Sequence, residues 1–261
     1  MTTTFNDVIK TFLNEKGYFD RCDIEGVVFY GSASTGYNTE NSDLDLQIIT
    51  NNDNPSNLIR GISTIDGIRI EYFEKPLCDY YNRAINDFNN QSNVLLSMIG
   101  HGVIIYDRNG NIKILQDYIN EYYSVPLPCL SENDAKEMVA IINNRMIDLK
   151  TLYEHNNPYF NHLYHLTIEK IKKFYHRLKG FPEISTSKTL KLYTDTTGYR
   201  ERIFKTIPEQ DFIDLYIDAL DLEQRMTPQE KMDAIEKLYE YAKRDIRLDK
   251  DNYRIRINPR N

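Results

Sequence analysis

The stretch GSASTGYNTENSDLDL, residues 31–46, lies between two apolar runs, VVFYG before it and LQIIT after it. A buried carboxylate is costly unless something neutralises it. Side chains alternate along a strand, so Asp43 and Asp45 share one face while Leu44 and Leu46 share the other. Two residues of rise place the two acids roughly 6–7 Å apart along the backbone. Carboxylates so placed can converge on one or two divalent ions. An oxygen-only donor set suits Mg²⁺, which takes one or two carboxylates and completes its shell with water and substrate phosphates. The turn upstream supplies a second half-site. Gly31 lets the backbone approach a ligand closely, Ser32 offers a hydroxyl, and the amides that follow sit where an anion is readily cradled. Metal carboxylates beside a phosphate cradle are what phosphoryl or nucleotidyl transfer requires.

A third acid strengthens the pattern. Glu71 lies in IRIEYF, between Ile70 and Tyr72 at strand spacing. If that strand pairs beside Asp-Leu-Asp, Glu71 points to the same face as Asp43 and Asp45. Glu74 is nearby but falls at the strand end.

The remainder of the chain frames this site. Its 261 residues allow one large domain or two small ones, and the balance of apolar and charged residues is that of a globular protein. No apolar run is long enough to span a bilayer, and MTTTFNDVIKTFLNEKG has neither the basic nor the apolar region of a signal peptide. The three cysteines, Cys22, Cys78 and Cys129, are odd in number and scattered. They are expected as reduced thiols in a cytoplasmic protein, and not as a disulfide framework or zinc site. Residues 1–90 hold 14 Asp/Glu against 7 Lys/Arg, whereas the rest holds 25 of each. The acidity therefore accompanies the motif. It argues against a nucleic-acid clamp and suits divalent metal or a cationic partner, or serves solubility alone.

Hydrophobic spacing predicts a helix through Phe5, Val8, Ile9, Phe12 and Leu13 that ends at Gly17. Strands are predicted at Ile24–Tyr30, Leu44–Thr50, Ile68–Phe73 and Val103–Tyr106, with the turn Asp66-Gly67 closing a hairpin. Residues 51–56 read as loop, with Pro55 near the start of a short helix. Pro76 opens a helix reaching Asn89, and another short helix runs to Met98. A turn follows at Arg108-Asn109-Gly110. SVPLP, residues 124–128, reads as a linker. Helices are predicted beyond it at 131–154, 157–179, 185–194, 208–220 and from Thr227-Pro228 to Arg247. The expected architecture is α+β: a small mixed-sheet domain over 1–123, followed by an all-helical bundle over 124–261.

In order and spacing, Gly31-Ser32, ten residues, Asp43-Leu44-Asp45 and then Glu71 resemble the nucleotidyltransferase superfamily that includes DNA polymerase beta and the aminoglycoside-modifying enzymes. GSAxxGxxxxxSDLDL, with Ser42 before Asp43, looks like the antibiotic branch. IRIEYF…LCDYY…IIYDRNG is similar to the kanamycin nucleotidyltransferases. The resemblance covers about residues 20–115 and is loose in the helical half. It implies that Asp43, Asp45 and Glu71 hold one or two Mg²⁺, and that Gly31, Ser32 and Ser42 bind the phosphates of ATP or another nucleoside triphosphate. Glu71 acts as metal ligand or base. In that branch a glutamate of the helical domain takes the proton of the drug hydroxyl. Here Glu169, in HLTIEKIKKFYHRLKG, is the counterpart in one register, and Lys173 occupies the position in another.

Other residues carry competing readings. Lys188, with Lys191 in STSKTLKLY, is a candidate nucleotide ligand or a solvated lysine. His162 and His165 share a helical face but lack a third metal ligand. His101 reads as a loop histidine. Tyr153, Tyr159, Tyr164 and Tyr175 stack on a base or sugar, or pack a core. The basic tail 243–260 either touches an anionic ligand or is solvated. Functionally, the expectation is transfer of AMP, or another nucleoside monophosphate, to a hydroxyl of a small molecule of aminoglycoside type, with release of pyrophosphate. No nucleic acid or membrane partner is expected, and a monomer or a homodimer both fit. The alternatives are a protein-adenylylating antitoxin-type enzyme and a non-catalytic nucleotide-binding module.

Overall fold

Val8, Ile9, Phe12 and Leu13 are all buried along one side of α1 (Phe5–Glu15), as a helix must arrange residues at that spacing. They pack on a sheet whose strands are β1 (Ile24–Tyr30), β2 (Leu44–Thr50), β3 (Ile59–Ile65), β4 (Ile68–Pro76) and β5 (Val103–Asp107). The computed structural model describes residues 5–36, 42–52, 58–196 and 208–247. The short helix expected near Pro55 lies outside the described residues. Two compact units divide the chain, Met1–Pro126 and Leu127–Asn261. The fold is α+β, a mixed five-stranded sheet with helices followed by a helical unit.

The strand order is β3-β4-β2-β1-β5. β1 runs antiparallel to β2 and β5, and β2 runs parallel to β4. β3 and β4 form a hairpin whose last pair is Ile65 with Ile68. Asp66 and Gly67 between them both have positive φ, 50° and 79°, the backbone that a tight two-residue hairpin needs. Leu44, Leu46, Ile48, Val27, Phe29 and Ile70 form one core with α1. Asp45 and Gln47, the alternating residues of β2, face the other way. That second face is covered by α2 (Leu77–Asn89), whose buried Tyr80 donates a 2.6 Å hydrogen bond to Gln47 Oε1.

Several details depart from expectation. β4 extends to Pro76, which caps α2 instead of opening it. Residues Asn111–Tyr122 form α3, where no element was expected, and bury Ile112, Leu115 and Ile119. The short helix before His101 is a π-helical turn at Leu96–Gly100.

The second unit holds α4 (Glu132–Glu154), α5 (Phe160–Lys179), α6 (Thr186–Tyr193), α7 (Gln210–Leu220) and α8 (Pro228–Lys243). Ser131 Oγ accepts from the Asp134 amide at the start of α4, and a Thr227/Glu230 capping box starts α8. Each such cap contributes about 1 kcal/mol. Helix α8 ends at Lys243, short of the expected Arg247. Tyr164 and Tyr175 are core residues, and Tyr175 stacks on Phe212 with centroids 3.6 Å apart. No helix among the described residues is long and apolar enough to cross a membrane.

His176 in α5 is buried in this core. Its Nδ1 faces the Pro182 carbonyl at 2.8 Å and its Nε2 faces the Tyr193 hydroxyl. The carbonyl only accepts, so Nδ1 carries the proton and Nε2 accepts from Tyr193. Burial pushes the imidazole down from 6.5 to about 4. The unfolded chain therefore binds a proton that the folded one refuses between those values. Stability is full above pH 6.5 and is lost as pH falls toward 4, by up to about 1.4 kcal/mol per unit. Urea unfolding at pH 7 and pH 5 is expected to differ by about 2 kcal/mol from this group. His176→Phe is expected to flatten the dependence.

Candidate active site

The end of β1 delivers Tyr30 and Gly31, Asp43 comes just before β2 and Asp45 within it, and β4 delivers Glu71. The register sets them side by side: Tyr30 pairs with Asp45, and Asp45 pairs with Glu71. Directly opposed residues point to the same face. Asp43, just before β2, has its Oδ2 3.2 Å from Nε of Arg69, which alternates with Glu71 along β4. All three candidate acids are thus gathered on one patch of sheet.

Gly31 shapes its floor. Its φ is +83°, and a Cβ there would collide with Asp45 Oδ2. The position needs glycine for both reasons. Ser34 Oγ donates to the Gly31 carbonyl at 2.9 Å and holds the turn. Ala33–Thr35 continue it as a short 3₁₀ turn. Ser32 Oγ reaches Ser42 Oγ at 3.5 Å, so the two candidate phosphate ligands meet. Burial first, and then the Asp45 charge, push the Tyr30 phenol up to about 12, so it remains a neutral donor beside the acids.

Arginines that the sequence reading passed over also reach this patch. Arg69 Nε lies 3.2 Å from Asp43 Oδ2. Arg60 Nε donates to Glu71 Oε1 at 2.8 Å, and its guanidinium sits 5.4 Å from the Phe73 ring centroid. Period-two spacing signals Arg69, two residues before Glu71. Hairpin register signals Arg60, because Ile62 opposes Glu71 and Arg60 is then its diagonal neighbour.

Among the described residues, no group of three His, Cys, Asp or Glu side chains is placed to hold a metal ion, Asp43, Asp45 and Glu71 included. The donor chemistry nonetheless fits a hard cation. The donors are carboxylate oxygens only, two of them from directly paired residues, beside a glycine that leaves no bulk in the way. A cation of the Mg²⁺ kind asks for one or two carboxylates and takes its other ligands from phosphate and water.

The remaining candidates lie in the second unit. Lys188 is exposed on α6. His162 and His165 are exposed on α5. Glu169 faces a cavity of about 360 Å³, lined also by Arg145, Lys170, Lys173 and Thr186. It accepts from Tyr216 (2.6 Å), Lys172 (2.6 Å) and Thr186 (2.7 Å). Burial pulls its pKa up, but these three donors outweigh burial and hold it below the usual carboxylate value. Lys172 is itself buried and donates also to Thr189 at 2.9 Å. Glu169→Gln would strand that ammonium, so a loss of about 2–3 kcal/mol is expected in urea unfolding. Adding Lys172→Met should recover more than half of it, because the stranded charge is removed with its site.

The mixed sheet sets paired acids beside a Gly-Ser turn, and a helical unit follows it in the chain. Residues 8–111 match the model of the family described as Polymerase beta, Nucleotidyltransferase. The first unit thus carries a polymerase beta-like nucleotidyltransferase domain, which supports nucleotidyl transfer as the general activity. No curated protein matches the chain. Among solved structures it is similar to a nucleotidyltransferase-like protein from Exiguobacterium sibiricum. That similarity has 14% identity and a TM-score of 0.49, over 93% of this chain and 75% of the other.

Proposed function

We propose that the protein is a divalent-metal-dependent enzyme that transfers a nucleoside monophosphate, AMP from ATP, to a hydroxyl of a small molecule of aminoglycoside type, with release of pyrophosphate. The observation that supports this reading is the side-by-side register of Asp45 and Glu71, next to Gly31, where a Cβ would meet Asp45. Asp43, Asp45 and Glu71 would hold Mg²⁺. Bound there, the ion supplies positive charge against the phosphate oxygens. Gly31, Ser32 and Ser42 line the turn where those phosphates would lie, and Tyr30 offers a neutral hydroxyl beside them. The acceptor oxygen then attacks the α-phosphorus in line, forming the new P–O bond as the bond to pyrophosphate breaks. Its proton passes to a carboxylate. Glu169 is already engaged by Tyr216, Lys172 and Thr186, so the reading gives this step to Glu71. The excess of acid in residues 1–90 supports a polycationic acceptor.

The test is pyrophosphate release with each nucleoside triphosphate and Mg²⁺ across a panel of aminoglycosides and lincosamides. Release that depends on one drug is expected. Silence across the panel, with ATP still bound in calorimetry, would shift the acceptor to a protein, as in antitoxin-type enzymes. No nucleotide binding would leave a non-catalytic module.

A further inference from the structure

Three carboxylates on one small patch repel one another, and directly opposed like charges destabilise a sheet. The structure relieves this with two guanidiniums from a single hairpin. Arg69 of β4 sits beside Asp43, and Arg60 of β3 reaches diagonally to Glu71. Both lie toward the sheet edge, since β3 is the outermost strand. Each takes one oxygen of its acid, Oδ2 of Asp43 and Oε1 of Glu71. Their side chains remain 52% and 65% exposed. Exposed pairs of this kind are worth little, at most about 1 kcal/mol. A divalent cation with nucleotide can therefore displace them. A displaced guanidinium would stay within its tether of the same patch, and its planar fork matches phosphate oxygens.

We propose that Arg60 and Arg69 are built-in counter-ions that compete with the divalent cation for Glu71 and Asp43, and that loading the site transfers them to the phosphates of the nucleotide. The proposal rests on the nucleotidyltransferase reading above, and it makes both arginines positioning residues of that site. It predicts opposite effects on two ligands. Loss of an arginine frees a carboxylate for metal but removes a phosphate partner.

The probe is Mn²⁺, followed by its paramagnetic resonance signal, alone and with an ATP analogue carrying a methylene between the α- and β-phosphorus. Arg60→Gln and Arg69→Gln are expected to bind Mn²⁺ alone up to about fivefold tighter than wild type, the equivalent of about 1 kcal/mol. The same variants should bind the analogue with Mn²⁺ more weakly than wild type. Asp45→Asn serves as the metal-site control and should bind Mn²⁺ weakly throughout. Equal Mn²⁺ binding by wild type and both arginine variants, with Asp45→Asn weak, would overturn the proposal alone. Undiminished binding of the analogue by the arginine variants would overturn the transfer to phosphate. No Mn²⁺ binding by any of these proteins, with or without the analogue, would overturn the proposal together with the reading beneath it.

Discussion

Asp45→Asn is expected to reduce turnover about a thousandfold or more while leaving the fold in place. Asp45 sits between Tyr30 and Glu71 in the sheet, so it is the central donor of the proposed metal site. Removing one strong electrostatic stabiliser of a transition state costs about 3–4 kcal/mol, or two to three orders of magnitude in rate. A metal ligand that also positions the nucleotide sits at the upper end of that range. The fold should survive because asparagine has nearly the same shape and the backbone ladder is unchanged. The metal-free protein should even gain a few tenths of a kcal/mol, since the substitution removes one of two opposed like charges. A thermal melt and a pyrophosphate assay on the same preparation check both halves. Wild-type turnover by this variant would sink the metal assignment.

Gly31→Ala is expected to have the second largest effect. The residue has φ +83°, and the added methyl would meet Asp45 Oδ2. Left-handed backbone costs an L-residue about 1–2 kcal/mol, so the melting temperature should fall. The collision also pushes the Asp45 carboxylate out of place. A displacement of about 1 Å in a reacting group can cost about a hundredfold. Turnover should therefore fall much further than the loss of folded protein explains. A kcat measured below the melting transition, with unchanged far-ultraviolet circular dichroism, separates the two effects. An alanine variant with wild-type kcat would show that the turn is not part of the site.

Most of this patch was legible in the residues. Alternation alone set Asp45 on the face away from Leu44 and Leu46, and the Asp66-Gly67 turn announced the hairpin that carries Glu71. What alternation does not contain is strand order. The parallel pairing of β2 with β4, which puts Glu71 beside Asp45, is a tertiary fact. The arginines were missed for a related reason. A lone Arg in a strand reads as solvent-facing until the register across the hairpin is fixed. Helix α3 was missed because Arg108-Asn109-Gly110 ended one element plainly, while Ile112, Leu115 and Ile119 at helical spacing drew no assignment. Glu169 was singled out by resemblance. Its Tyr216, Thr186 and Lys172 partners come from elements that sequence spacing does not bring together, Lys172 excepted at three residues' distance.

The fate of labelled phosphate distinguishes a patch that moves a nucleoside monophosphate from one that moves a single phosphoryl group. ATP labelled at the α-phosphorus and ATP labelled at the γ-phosphorus would be incubated separately with enzyme, Mg²⁺ and the pooled acceptor panel. The α-label is expected to move to an acceptor and the γ-label to leave in pyrophosphate, both only when Asp45 is intact. Appearance of the γ-label on the acceptor would contradict this and assign phosphoryl transfer to the site instead.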